Sequence, residues 1–90
     1  MLRYRMNIQG NVQGVGFRYF AQKTALLYSI NGWVRNRYDG TVEIDAEGSE
    51  INISGFIKSI EKGNRFANVE SINLEKKEHI MHYKTFNIID

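Results

Sequence analysis

The sequence predicts an α+β fold with the order strand, helix, strand, strand, helix, strand. Three observations carry this expectation. Residues 2–9 alternate apolar and polar side chains, two later stretches repeat apolar residues at helical spacing, and an Asp39-Gly40 pair separates two strand-like runs.

The elements follow in chain order. In "LRYRMNIQ" at 2–9, Leu2, Tyr4, Met6 and Ile8 take one face and Arg3, Arg5, Asn7 and Gln9 the other, as in a half-buried strand. A glycine-rich loop follows, with Gly10, Gly14 and Gly16 inside seven positions. From Phe17 to Tyr28 the spacing predicts a helix whose inner stripe is Phe17, Phe20, Ala21, Thr24, Leu27 and Tyr28. "GWVRNR" at 32–37 and "TVEIDA" at 41–46 read as strands joined by the "YDG" turn. Residues 50–62 form a second amphipathic helix with Ile53, Phe56, Ile57 and Ile60 inward, and Gly63 is placed for its left-handed cap. "NVESINLEK" is a further strand, and "YKTFNII" at 83–89 is a candidate extra C-terminal strand.

This order is the ferredoxin-like, or split βαβ, pattern: a sandwich of two helices on one face of a mostly antiparallel sheet. The first helix crosses between strands one and two, so those strands run parallel. Their C-terminal ends then share one end of the sheet. The glycine loop leaves strand one there, and Asn36 lies where strand two finishes. The topology therefore brings the loop and Asn36 to opposite sides of one hollow.

Ninety residues are expected to make one domain over 1–90. Hydrophobic residues make up 42% and charged residues 24%, the balance of a soluble globular chain. The absence of cysteine excludes disulfide and thiolate chemistry and fits a reducing compartment. The N-terminus lacks a continuous apolar run, and no stretch reaches the ~20 apolar residues of a membrane span, so the expectation is a cytoplasmic protein with no membrane partner. A formal charge of +2 and a pI near 9.0 are too mild to demand a nucleic acid but suit a small anionic ligand.

The loop can be read in two ways. Gly14 and Gly16 permit a nest of inward N–H groups, and the helix that starts at Phe17 adds unpaired donors and a favourable dipole. Arg18 contributes a planar fork that matches phosphate oxygens, although a cation at a helix N-terminus opposes the dipole by ~0.3–1 kcal/mol when exposed. The other reading is a plain strand-to-helix turn with a solvated arginine. No Lys-Ser/Thr follows, so this is not a Walker A loop, and the chain is too short for the usual dinucleotide fold.

"GNVQGVGFR" at 10–18 and "NGWVRNRYDGTVE" at 31–43 together resemble the two signature regions of the acylphosphatase family. "GFIKSIEKG", "FANVESINLE" and the terminal "TFNII" extend that resemblance over nearly the whole chain. The resemblance implies a small ferredoxin-like hydrolase that splits a carboxyl-phosphate anhydride into carboxylate and inorganic phosphate without metal or cofactor. It places the phosphate-binding arginine on Arg18, the water-orienting asparagine on Asn36, and the phosphate cradle on the backbone of Gln13, Gly14, Val15, Gly16 and Phe17. The implied partners are a small acyl phosphate and inorganic phosphate as product and inhibitor, with the chain a monomer. Asn11 stands where the family often has a basic residue, Asn64 where it often has proline, and Asp90 where an aromatic is common. Those departures are expected to touch affinity and stability more than chemistry.

That chemistry agrees with the residues. An acyl phosphate carries a good leaving group, so phosphoryl transfer needs positioning and charge stabilisation more than a strong nucleophile. Asn36 offers an acceptor and a donor to a water but cannot take its proton near neutral pH. A substrate phosphate oxygen is the expected proton acceptor. Other groups fit less well. His79 and His82 fall in a predicted loop with no third metal ligand in view. Arg35 and Arg37 read as solvated strand ends with a minor steering role, and Trp33 as core or sheet surface. The rival readings are an RNA-binding module and a non-catalytic phosphate sensor. "QGVGFRYF" has a superficial likeness to the RNA-recognition core, but here it lies between the first strand and helix, and the third strand carries Glu43 and Asp45.

Overall fold

A computed structural model describes all residues from Met1 to Asp90. Its elements are β1 (Leu2–Asn11), α1 (Phe17–Leu27), β2 (Asn31–Asn36), β3 (Val42–Gly48), α2 (Glu50–Lys62), β4 (Asn68–Lys77) and β5 (Phe86–Ile88). The sheet order is β4-β1-β3-β2-β5. β3 pairs antiparallel with both β1 and β2, which makes β1 and β2 parallel to each other. The expected βαββαβ order with an added C-terminal strand is therefore present, and both helices cover one face of the sheet.

The core forms where the apolar face of the sheet meets the two helices. Met6 opposes Ile44, and Ile8 opposes Val42, in the register that turns all four inward; each is fully buried. Ala21 and Ala25 are small enough to let α1 lie close to the sheet, and both are fully buried. Ile53, Phe56 and Ile60 project from α2, where the Phe56 ring meets Phe86 edge-on at 6.0 Å. The second helix keeps its expected bounds. Ser49 Oγ accepts from the Asn52 N–H at 3.2 Å, and Gly63 at φ 75 ends the helix.

Two expectations change. Leu27 is 81% exposed, whereas Ala25 takes the inward place. At 3.6 residues per turn, Leu27 falls about a quarter-turn from the centre of the Phe17–Ala21–Thr24 stripe. The last strand is also shorter than 83–89 and covers only Phe86–Ile88, parallel to β2. Tyr83 is diverted by acids of β3: its N–H donates to Glu47 Oε1 at 3.0 Å and its hydroxyl to Asp45 Oδ2 at 2.8 Å. The Met81 N–H donates to the other oxygen of Glu47. The chain before β5 thus straps across the sheet face opposite the helices, and β3 is buried along its whole length.

Candidate active site

The glycine loop leaves β1 at the end of the sheet where β2 also finishes. Gly14 and Gly16 take φ of 74 and 77, a region that side chains with a Cβ rarely enter. Gly16 is also the N-cap of α1, and no side chain caps that helix. The main-chain N–H groups of residues 13–18 donate to no other group of the protein. Six consecutive donors are left for something other than the fold.

The loop is braced from both sides. Gln13 Nε2 donates at 2.8 Å to the carbonyls of both Arg37 and Thr41, which ties the loop to the β2–β3 turn. That turn is stiffened in its own right. Asp39 Oδ1 accepts from the Thr41 N–H at 3.0 Å and from Thr41 Oγ1 at 2.6 Å, and these bonds hold its carboxyl below the usual range. On the other side, Asn64 Nδ2 donates to the Val15 carbonyl at 2.8 Å.

Arg18 and Asn36 meet at one cavity of about 640 Å³, also lined by Arg35, Arg37, Tyr38, Asp39 and Asp90. Gln13 to Phe17 are not part of that lining; the loop reaches the cavity through Arg18, which follows it. Arg18 has no carboxylate and no hydrogen-bond acceptor within reach. Asn36 closes β2, and its Oδ1 is buried without a partner in the protein. A buried acceptor left unpaired costs about 1–3 kcal/mol, so a polar atom retained in that state marks a place where a bound molecule can donate.

The other two arginines of the cavity are partly solvated, as expected, but each also pairs with an acid of β3. Arg35 Nε lies 2.7 Å from Glu43 Oε1, and Arg37 Nη1 lies 3.3 Å from the same oxygen. Burial pushes the Glu43 carboxyl up, but Arg35, with Arg5 and Arg37 nearby, outweighs it and holds the carboxyl below its usual range. Both therefore hold an acid of the sheet, whereas Arg18 holds none. Behind them the pairing continues across the face. Asp45 is fully buried and accepts from Arg3 at 2.8 and 2.9 Å, from Arg5 at 3.1 Å, and from Tyr83. Trp33 lies on this face between Arg5 and Arg35, whose guanidinium carbons are 5.0 and 5.6 Å from its ring centre.

Sequence reasoning missed this network, yet a signal was present. Arg5 lies directly opposite Asp45, and Arg35 directly opposite Glu43, so acids and arginines alternate in step across three strands. Asn64 carried no such signal. His79 and His82 fall in the segment before β5, where the His79 carbonyl accepts from Arg3. The aromatic run Phe17–Phe20 is helical, whereas an RNA-recognition surface carries its aromatic run on a central strand.

The family model described as Acylphosphatase matches residues 4–88. A protein of Bacillus licheniformis named Acylphosphatase is 49% identical over 88 residues, covering 98% of each chain. One from Clostridium acetobutylicum with the same name is 49% identical over 89 residues, covering 99% of this chain and 98% of that one. The crystal structure of acylphosphatase from Bacillus subtilis superposes with a TM-score of 0.97 at 41% identity over the full length of both chains. With loop, arginine and asparagine at one end of this sheet, the chain belongs to the acylphosphatase family.

Proposed function

We propose that the chain hydrolyses acyl phosphates to a carboxylate and inorganic phosphate, with the phosphate held at the 13–18 loop. The observation that carries this reading is the pairing of an uncompensated guanidinium, Arg18, with an unpartnered buried oxygen, Asn36 Oδ1, at one cavity. Family membership supplies the reaction class.

In this mechanism the loop N–H groups, the N-terminus of α1 and the Arg18 fork bind the phosphate oxygens. Asn36 Oδ1 accepts a hydrogen bond from a water and holds it in line with the scissile P–O bond. The water oxygen bonds to phosphorus as the bond to the carboxyl oxygen breaks. The carboxylate leaves with the electron pair, and a phosphate oxygen takes the water's proton. Charge building on the equatorial oxygens meets donors already aimed at them, so little reorganisation accompanies the reaction. No step calls on a metal or cofactor.

The test is phosphate release from benzoyl phosphate. The wild type should turn over at the same rate before and after dialysis against EDTA. Asn36→Ala should remain folded and bind inorganic phosphate, yet lose about 10²–10³ in kcat, the usual cost of one positioned polar group. Activity lost to the chelator and restored by a divalent ion would overturn the cofactor-free reading. Near-normal turnover by folded Asn36→Ala would remove Asn36 from the mechanism.

A further inference from the structure

We infer that Asn64 is a positioning residue that aims the phosphate-binding loop, an inference that rests on the function proposed above. Asn64 follows the Gly63 cap of α2, and its carbonyl accepts from the Ala67 N–H, which holds this turn in shape. Its Nδ2 donates to the Val15 carbonyl at 2.8 Å across 49 residues of chain. Val15 lies between Gly14 and Gly16, both in the left-handed region. A glycine on either side leaves the intervening peptide planes free to rotate unless something holds them. In a trans peptide the carbonyl and the next N–H point in opposite directions, and the chain has no cis bond. Pinning the Val15 oxygen towards α2 therefore turns the Gly16 N–H away from α2, to the opposite side of the loop.

The rest of the side chain supports a role outside stability. Asn64 Oδ1 is buried and has no partner. The amide cannot be turned over, because Oδ1 would then face the Val15 oxygen. Asn64 thus gains one hydrogen bond and leaves one acceptor unpaired, a poor exchange for folding alone. A leucine of similar shape removes the unpaired oxygen with the donor and leaves the carbonyl of the half-buried Val15 to water. It should leave the fold nearly as stable and leave the loop unpinned.

The experiment compares wild type, Asn64→Leu, Asn64→Asp and Arg18→Gln. It reads inorganic phosphate affinity by calorimetry, kcat and KM on benzoyl phosphate, and Tm without phosphate. Asn64→Leu should bind phosphate about tenfold more weakly and lose about tenfold in kcat/KM, with Tm changed by less than about 2 °C; one oriented hydrogen bond to a charged group is worth that much. Asn64→Asp keeps the shape but cannot donate when ionised, and should lose more. Phosphate affinity in Asn64→Leu equal to wild type would overturn the inference, as would a fall in Tm that tracks the fall in affinity. If the wild type binds phosphate without turnover, the proposed function fails and the calorimetric comparison still decides Asn64. If the wild type binds no phosphate, both fail.

Discussion

Two regions of this protein are rich in arginine, and they use it in opposite ways. On the sheet face away from the helices, Arg3, Arg5, Arg35 and Arg37 each contact Glu43 or Asp45. At the end of the sheet, Arg18 has no acid and stands among unpaired N–H groups. The first region uses its arginines to hold buried acids of the fold. Arg18 opposes the dipole of its own helix, and only an incoming anion reverses that cost. The lesson is that charge count does not locate a site; an unpaired charge beside unpaired N–H donors and a buried unpartnered oxygen does.

Substitutions in either region test this difference. The largest expected effect is at Arg18. Arg18→Gln should lower kcat/KM on benzoyl phosphate by about 10³ or more, because the lost charge serves both bound substrate and transition state. Arg18→Lys should recover little of it, since an ammonium cannot reproduce a planar two-point contact. Its Tm in phosphate-free buffer should stay close to wild type, since no partner in the protein is lost. A variant that turns over at the wild-type rate would make the loop a plain turn.

The opposite pattern is expected at Asp45. Asp45→Ala leaves Arg3 and Arg5 without their buried partner, a change that costs about 3–5 kcal/mol. Thermal unfolding should show a Tm at least about 12 °C lower, given ~4–8 °C per kcal/mol in a domain of this size. The protein that remains folded at low temperature should keep its kcat. A large loss of kcat at unchanged Tm would place the network in catalysis and erase the contrast.

Acid offers a gentler probe of the same face. Burial pushes the Asp45 carboxyl up, but the hydrogen bonds from Arg3, Tyr83 and Arg5 outweigh it, so the carboxyl is held below its usual range, as is that of Glu43. A carboxyl depressed in the folded state binds protons more readily when unfolded. Its stabilisation is complete above the unfolded pKa values, about 3.9 for Asp and 4.3 for Glu, and is lost as pH falls through the lower folded values. Denaturant midpoints should be level between pH 5 and 7 in this respect and fall below pH 4. In Asp45→Asn that fall should be shallower.

Much of this arrangement is legible in the sequence. The alternation at 2–9 and the stripe at 53, 56 and 60 each depend on neighbours within a few residues, so periodicity reveals them. The parallel ends of β1 and β2 follow from one helical crossover, which brings Arg18 and Asn36 together. What periodicity could not reveal depends on distant partners. Alternation places Arg3 on a polar face and carries no sign that the segment from His79 to Tyr83 covers it. In the sequence Asn64 is only a polar residue after a helix end, and its contact with Val15 exists only once α2 packs beside the loop.

In the proposed function the unpaired Arg18, and not the arginine-rich face, holds the phosphate. The direct measurement is Tm with and without saturating inorganic phosphate for wild type, Arg18→Gln and Asp45→Asn. A ligand that binds only the folded state raises Tm by mass action. Wild type and Asp45→Asn should both gain stability, about 2.7 kcal/mol at a phosphate concentration one hundred times Kd, whereas Arg18→Gln should gain none. A full phosphate-dependent rise in Arg18→Gln, or its loss in Asp45→Asn, would contradict the account.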